Sequence, residues 1–386
     1  MTRDMPALAE TIAGRDVDGY LIDADWEDPT QLYLSGFTGP DPFLTLYADG
    51  GVHLLVSGLE YARAKRESRA DTVRRHAEYD FQYGGRERRL DMYADFLADV
   101  GVESVLMPDR APVGTADGLR DRGITVAVDH EDAVASLRAV KSDDEVDRIR
   151  TAQRATESAM AAAESLLSEA AVEDGTLVHG GDVLTSERVR EEIEVTLLRH
   201  GCASEETIVA GGAQAADPHD RGSGPLNAGD AIVIDVFPRD TDTKYFADMT
   251  RTFVVGEPGD ALRERYDLTV SALDAAIDAV EPGATGEDVH VAACEVYEDA
   301  GYPTLRSDPD TDTGYIHSTG HGVGLAVHEP PRLSMGAGEL EPGNVVTIEP
   351  GLYDPDVGGI RVEDLVVVTT DGCEVITDYP KRFVIE

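Results

Sequence analysis

Residues 231–255 read AIVIDVFPRDTDTKYFADMTRTFVV. The first six positions form an apolar, β-branched run of the kind that fills a buried strand, yet Asp235 stands within it. A carboxylate there is costly unless an ion pair or a bound cation neutralises it. Residues 246–255 form a second strand, in which the two-residue period puts Asp248, Thr250 and Thr252 on one face and Met249, Arg251 and Phe253 on the other. Two neighbouring strands therefore each carry an acid into apolar surroundings.

Two more segments repeat the anomaly. NVVTIEPGLY, 344–353, ends an apolar strand on Glu349, and GIRVEDLVVV, 359–368, sets Glu363 within another, with Arg361 two positions earlier on the same face. A single such acid is ordinarily an edge residue facing solvent. Four of them, with His321 of HSTGHGVGLAVHEPP (317–331) beside them, read as one shared metal site. Two divalent cations balance four carboxylates and leave a neutral imidazole as fifth ligand. A mostly oxygen ligand set favours harder ions such as manganese, magnesium, iron or cobalt over zinc. Two such ions about 3.5 to 4 Å apart generate a hydroxide nucleophile and polarise a carbonyl, as in aminopeptidases.

The stretch 317–331 invites two quicker readings, and neither holds. His317 and His321 have the spacing of two zinc ligands on one helix face, but Gly320, Gly322 and Gly324 argue against a helix. The same glycines lack the spacing of the dinucleotide fingerprint. They suit instead an extended backbone that passes close to a crowded site.

The chain has 386 residues, enough for two domains, with 33 basic against 76 acidic side chains and a net charge of -43. The acids are spread through every segment, and only four lysines occur (Lys65, Lys141, Lys244, Lys381). A surface this self-repelling holds together best in concentrated salt, so the composition predicts the cytoplasm of an extreme halophile. It excludes nucleic-acid binding, which needs a basic face. Cys202, Cys294 and Cys373 are odd in number and far apart, which makes neither a disulfide framework nor a thiolate site. The N-terminus has no signal-like apolar core and no stretch approaches a membrane span, so the expectation is a soluble, cytoplasmic protein without membrane partners.

Strand-like runs at 19–22, 43–47, 52–56 and 104–107 alternate with helix-like stretches at 60–69 and 86–100, which predicts an α/β domain over residues 1–140. From 141 the texture changes. KSDDEVDRIRTAQRATESAMAAAESLLSEA is a long helix opened by a capping box of Ser142 and Glu145. Further helices are expected at 186–200, 261–280 and 286–300, with strands between and after them. Helix, shorter helix, then strands occurs twice over 141–386, which points to a duplicated half-domain.

Asp235, Asp248 in DMTRTF, His321 in GHGVG, Glu349 in IEPG and Glu363 in RVED resemble, in order and context, the five metal ligands of the pita-bread metallopeptidases: methionine aminopeptidase, aminopeptidase P and prolidase. The likeness covers residues 141–386, and the region before it looks like the creatinase-type domain that prolidase and aminopeptidase P carry. It implies an α+β protein: a creatinase-type α/β domain, then a pita-bread domain of duplicated helix-strand halves with a curved, mostly antiparallel sheet. The implied activity is dinuclear-metal-dependent hydrolysis of an N-terminal peptide bond, ahead of proline, in a homodimer acting on small peptides. The implied cofactors are two divalent ions, manganese first, with cobalt, iron or zinc as alternatives.

The resemblance also assigns roles. Glu349 doubles as general base, His219 is a substrate-site histidine, His328 steadies the tetrahedral intermediate, His317 lines the proline side, and Arg361 orients a ligand carboxylate. Without the resemblance, His219 and His328 read as ordinary solvated histidines. His53, His76, His130, His179, His200 and His290 fit no constellation, and Trp26 reads as packing. Two departures stand out. Asp235 is followed by Val-Phe-Pro-Arg where a small residue is usual, with thirteen positions to Asp248, and Ser318 replaces a glycine after His317. A non-peptidase hydrolase or lyase on the same fold, or a pita-bread module that only binds, are the alternative readings.

Overall fold

The computed structural model describes residues 5–81 and 84–385. The chain divides after Arg138 into two compact units. In the first, a mixed six-stranded sheet runs in the order Thr72–Arg75, Gly51–Val56, Phe43–Ala48, Gly19–Ala24, Ser104–Pro108, Thr125–Asp129. Its central pairs are antiparallel and its outer pairs parallel. Helix Arg86–Val100 sets Leu90, Tyr93, Phe96 and Leu97 against Leu21, Leu46, Leu55 and Val105 of the sheet. The edge strand Thr72–Arg75 is the one the sequence hides most. It is largely exposed, and TVRR carries no buried face to betray it.

The second unit is built twice over. Helices Asp143–Ser168 and Ser186–Arg199 pack with Ala152, Ala159, Ala163, Val189 and Ile193 facing Ile232, Ile234 and Phe253 of the sheet that follows. Helices Asp260–Asp278 and Gly286–Asp299 repeat the arrangement, setting Leu273, Val289 and Tyr297 against Val346, Ile348 and Val366. The caps are those the sequence announces. Glu145 Oε2 accepts from Ser142 N at 2.9 Å, and Asp288 N donates to Thr285 Oγ1 at 3.0 Å. Small residues about a turn apart along the first helix let its partner approach closely.

The first half contributes Ile208–Gly211, Ile232–Val236 and Met249–Val255 to a four-stranded sheet that Val384–Ile385, from the end of the chain, completes. The second contributes five antiparallel strands in the order Glu329–Leu333, Gly320–Gly322, Val345–Ile348, Asp364–Val368, Cys373–Val375, and a hairpin of Gly351–Asp354 with Gly358–Arg361. Only Met249–Val255 with Val384–Ile385 is parallel among these pairs. The α+β class, the duplicated halves and the mostly antiparallel sheet follow the sequence expectation.

One element differs. Glu363 was expected within a strand, and it lies in the break between Gly358–Arg361 and Asp364–Val368. The chain changes partners there: Glu363 N donates to Thr250 O at 3.1 Å, and Thr252 Oγ1 donates to Arg361 O at 2.8 Å. Among the described residues no helix is long and apolar enough to cross a membrane.

Phe253 fills the first core from the strand face opposite the acids and is fully buried. Phe253→Ala is expected to lower unfolding stability by about 3–5 kcal/mol. Denaturant titration in concentrated KCl checks this, with the midpoint falling at an unchanged slope.

Candidate metal centre

Strand Ile232–Val236 carries Asp235 opposite Thr250 in the antiparallel ladder, and Asp248 sits just before the partner strand begins. Carboxylate oxygens of Asp235, Asp248 and Glu363 lie within 4.8 Å of one another. His321, central in Gly320–Gly322, brings Nε2 to 3.9 Å from Asp248 Oδ2 and 3.3 Å from Glu349 Oε1. All five residues expected as ligands therefore converge, although Glu363 is 128 positions from Asp235. Asp248, His321 and Glu363 are buried, while Asp235 and Glu349 are partly open.

Gly320 makes that convergence possible. A Cβ on it would lie 1.9 Å from Thr347 O, so the His321 strand can approach the Glu349 strand only without a side chain there. Thr347 then serves both: its Oγ1 accepts from His321 N at 3.1 Å and donates to Glu349 Oε1 at 3.2 Å.

Arg361 holds Asp235, not the neighbour that its strand suggested. Its Nη2 donates to Asp235 Oδ2 at 2.6 Å, and it reaches Glu363 only through Thr250. Arg361 Nε donates to Thr250 Oγ1 at 3.2 Å, and that hydroxyl donates to Glu363 Oε2 at 2.8 Å. A third arm of the guanidinium meets Tyr353 OH at 3.0 Å. Tyr353, Thr250 and Thr347 were not singled out from sequence as site residues. The two-residue period could have found the threonines, which share strand faces with Asp248 and Glu349; nothing in the sequence marks Tyr353.

Electrostatics set this cluster apart from a solvated acidic patch. Burial, then the charges of Glu363, Asp235 and Glu349, push Asp248 well above the usual carboxylate range. Burial, then Glu349 and Asp235, does the same to Glu363. Burial also raises Asp235, against the pull of Arg361. Glu349 moves the other way: burial opposes its charge, but the hydrogen bond from His321 holds it below its ordinary value. His321 is raised, since that bond to Glu349 outweighs its burial.

Asp235 Oδ1 and Glu363 Oε1 are buried acceptors without a hydrogen-bond partner. Acceptor oxygens left over in a buried, like-charged cluster beside an imidazole fit divalent cations of the harder kind.

The other expected residues ring this centre. His317 Nε2 meets Tyr353 OH at 3.0 Å, and its ring lies edge-on to Tyr315 and Tyr353. The His328 ring stands 4.3 Å from that of His321, and the residue is exposed. Burial lowers both pKa values, with His219 a smaller contributor to each. His219 itself is exposed. The hairpin after Asp235 folds compactly: Asp240 Oδ1 accepts from Thr243 N at 2.6 Å, and Phe246 N donates to Gly324 O at 2.8 Å, beside the turn that carries His328.

Comparison with known families decides what this centre belongs to. The model for metallopeptidase family M24 matches residues 147–370, and that for the Creatinase/Prolidase N-terminal domain matches residues 5–140. The chain belongs to metallopeptidase family M24. Members of this family are dinuclear metal enzymes. This M24 peptidase is 29% identical to the Xaa-Pro dipeptidase of Pyrococcus furiosus, over 90% of this chain and 91% of the relative. It is 32% identical to the uncharacterized peptidase YqhT of Bacillus subtilis, over 96% of each. Among solved structures, the prolidase from Pyrococcus horikoshii OT3 superposes with a TM-score of 0.81 at 27% identity, covering 98% of this chain and 99% of that one. The Xaa-Pro dipeptidase from Bacillus anthracis gives 0.84 at 25% identity, over 99% and 98%.

The raised carboxylates give this peptidase a pH signature. Without metal, Asp235, Asp248 and Glu363 contribute stability that is fully present below about pH 4 and lost as pH rises through their elevated folded values. His321 acts in the same direction, its contribution lost as pH rises through its raised value. Glu349 acts oppositely, contributing stability above its unfolded value that is lost as pH falls through its depressed one. Cations favour the ionised forms, so the gap in Tm between metal-loaded and chelated protein is expected to widen as pH rises from about 4 toward 7. Paired thermal melts at constant KCl check it; a gap independent of pH contradicts it.

Proposed function

We propose that this M24 peptidase removes the N-terminal residue of Xaa-Pro peptides, using two divalent ions, manganese first, held by Asp235, Asp248, His321, Glu349 and Glu363. The observation that carries the reading is the convergence of those five side chains on buried, unpartnered acceptor oxygens. The names of the relatives, Xaa-Pro dipeptidases among them, support the substrate class. In the same reading the protein works as a homodimer in a salt-rich cytoplasm, and residues 1–140 are its creatinase-type domain.

The ions, when bound, supply Lewis acidity and a water of lowered pKa. Glu349 is the base. Its carboxylate is oriented by Thr347 Oγ1, so one oxygen can accept the proton of the attacking water. His328 stands beside His321 and is exposed, and in this reading it donates an N–H to the oxyanion that develops on the scissile carbonyl. His317, fixed by Tyr353, and the exposed His219 line the substrate. Arg361 fixes Asp235 through a charge-assisted bond and so keeps one ligand from turning away.

The test is purification in multimolar KCl, metal analysis, and assay of Xaa-Pro dipeptides and longer Xaa-Pro peptides with and without manganese. Manganese-dependent turnover is expected, with dipeptide-only activity marking a prolidase and longer substrates an aminopeptidase P. His328→Ala is expected to lower kcat by about 10²–10³ while metal content is kept. Protein that binds no transition metal, with Asp235→Ala as active as wild type, would sink the reading.

The surface charge makes a separate expectation. At a net charge of -43, self-repulsion is screened progressively more as the Debye length falls from about 8 Å at physiological salt to about 3 Å near 1 M. Tm should therefore climb steadily as KCl is raised from physiological to multimolar concentration, read by differential scanning calorimetry.

A further inference from the structure

A buried ion pair lies outside the ligand and histidine set. Lys141 Nζ stands 2.8 Å from Glu329 Oε1, with the two side chains 1% and 2% exposed. Burying two charges is expensive, and an apolar pair of similar volume is often as stable. Stability alone is therefore a weak account of it, so its attachments matter.

Glu329 follows His328 directly and heads the strand Glu329–Leu333. Its carboxylate fills the turn that carries His328. Gly324 N donates to Ala326 O at 3.0 Å, Ala326 N donates to Glu329 Oε2 at 3.4 Å, and a Cβ on Gly324 would lie 2.3 Å from Glu329 Oε1. A side chain at Gly324 would press on that carboxylate, so the glycine lets the turn close over it.

Lys141 is held at its other end. Its backbone N donates to Gly343 O at 2.8 Å, its Nζ also donates to Ala139 O at 3.2 Å, and Asn344 Nδ2 donates to that same carbonyl at 3.0 Å. Gly343 and Asn344 lead straight into the strand Val345–Ile348, which delivers Glu349. One lysine thus ties the root of the Glu349 strand to the carboxylate beneath the His328 turn.

We infer that Lys141 and Glu329 are positioning residues that set His328 relative to Glu349 across the reacting carbonyl. The inference rests on His328 acting in the peptidase reaction as proposed above. That reading has its own control: if His328→Ala turns over substrate like wild type, the role of His328 fails, whatever Lys141 and Glu329 do.

The test compares Glu329→Gln, Lys141→Met and the double variant, which buries no unpaired charge, for kcat, KM and metal content in concentrated KCl. Each is expected to lower kcat by about 10- to 100-fold, with KM little changed and metal content native. Introduced into His328→Ala, Glu329→Gln should lower kcat far less than it does in wild type, because both changes act through one side chain. Equal fold losses in the two backgrounds, or full kcat in the double variant, would overturn the inference. If the single variants do not fold, the double variant decides alone: low kcat with native metal content supports the positioning role, and wild-type kcat refutes it.

Discussion

Four carboxylates brought together where water is scarce is the constraint on which the catalytic unit turns. Left alone, such a cluster repels itself and resists burial. Every attachment around it answers one or other of these terms. Arg361 pairs with Asp235, Thr250 bonds Glu363, and Thr347 and His321 share Glu349. These partners orient the acids without neutralising the whole set, so capacity for cations remains. A fold that satisfied every oxygen internally would have no use for a metal.

The same constraint explains the duplication. Asp235 and Asp248 come from the first helix-strand half, and His321, Glu349 and Glu363 from the second, so neither half holds enough of the proposed ligands alone. At the seam Glu363 N donates to Thr250 O, Arg361 N donates to Thr252 Oγ1, and that hydroxyl donates to Arg361 O. Arg251, fully buried on the other side of the same strand, pairs with Asp364 at 2.8 Å and reaches the carbonyls of Tyr379 and Pro380. The break in the chain at Glu363 is thus secured from both faces.

Much of this was legible in the residues. Acids in apolar strands are visible because their burial penalty makes them improbable without a purpose, and capping boxes and helix spacing are local patterns that survive in any context. Partners across strands are not local. The period of one strand placed Arg361 and Glu363 on a common face, but it could not see the change of sheet between them or that Asp235 would lie within 2.6 Å. Lys141 and Glu329 are separated by nearly half the chain, and each alone reads as an ordinary surface charge. His290, one of the histidines set aside, is buried and bonds Thr319 Oγ1 at 2.8 Å, between His317 and His321 in sequence. Its role as a core anchor could not be told from a solvated one by pattern.

The division of ligands between halves also orders events in time. A chain synthesised from its N-terminus releases the Asp235–Asp248 hairpin well before His321, Glu349 and Glu363 exist. Two acids on a hairpin offer too few ligands to fix a coordination geometry. If these five side chains hold the ions as proposed, the full set of one imidazole and four carboxylates exists only once both halves are folded. On the proposed ligand set, metal identity would therefore be settled late, by geometry, and not by the first ion that the growing chain happens to meet.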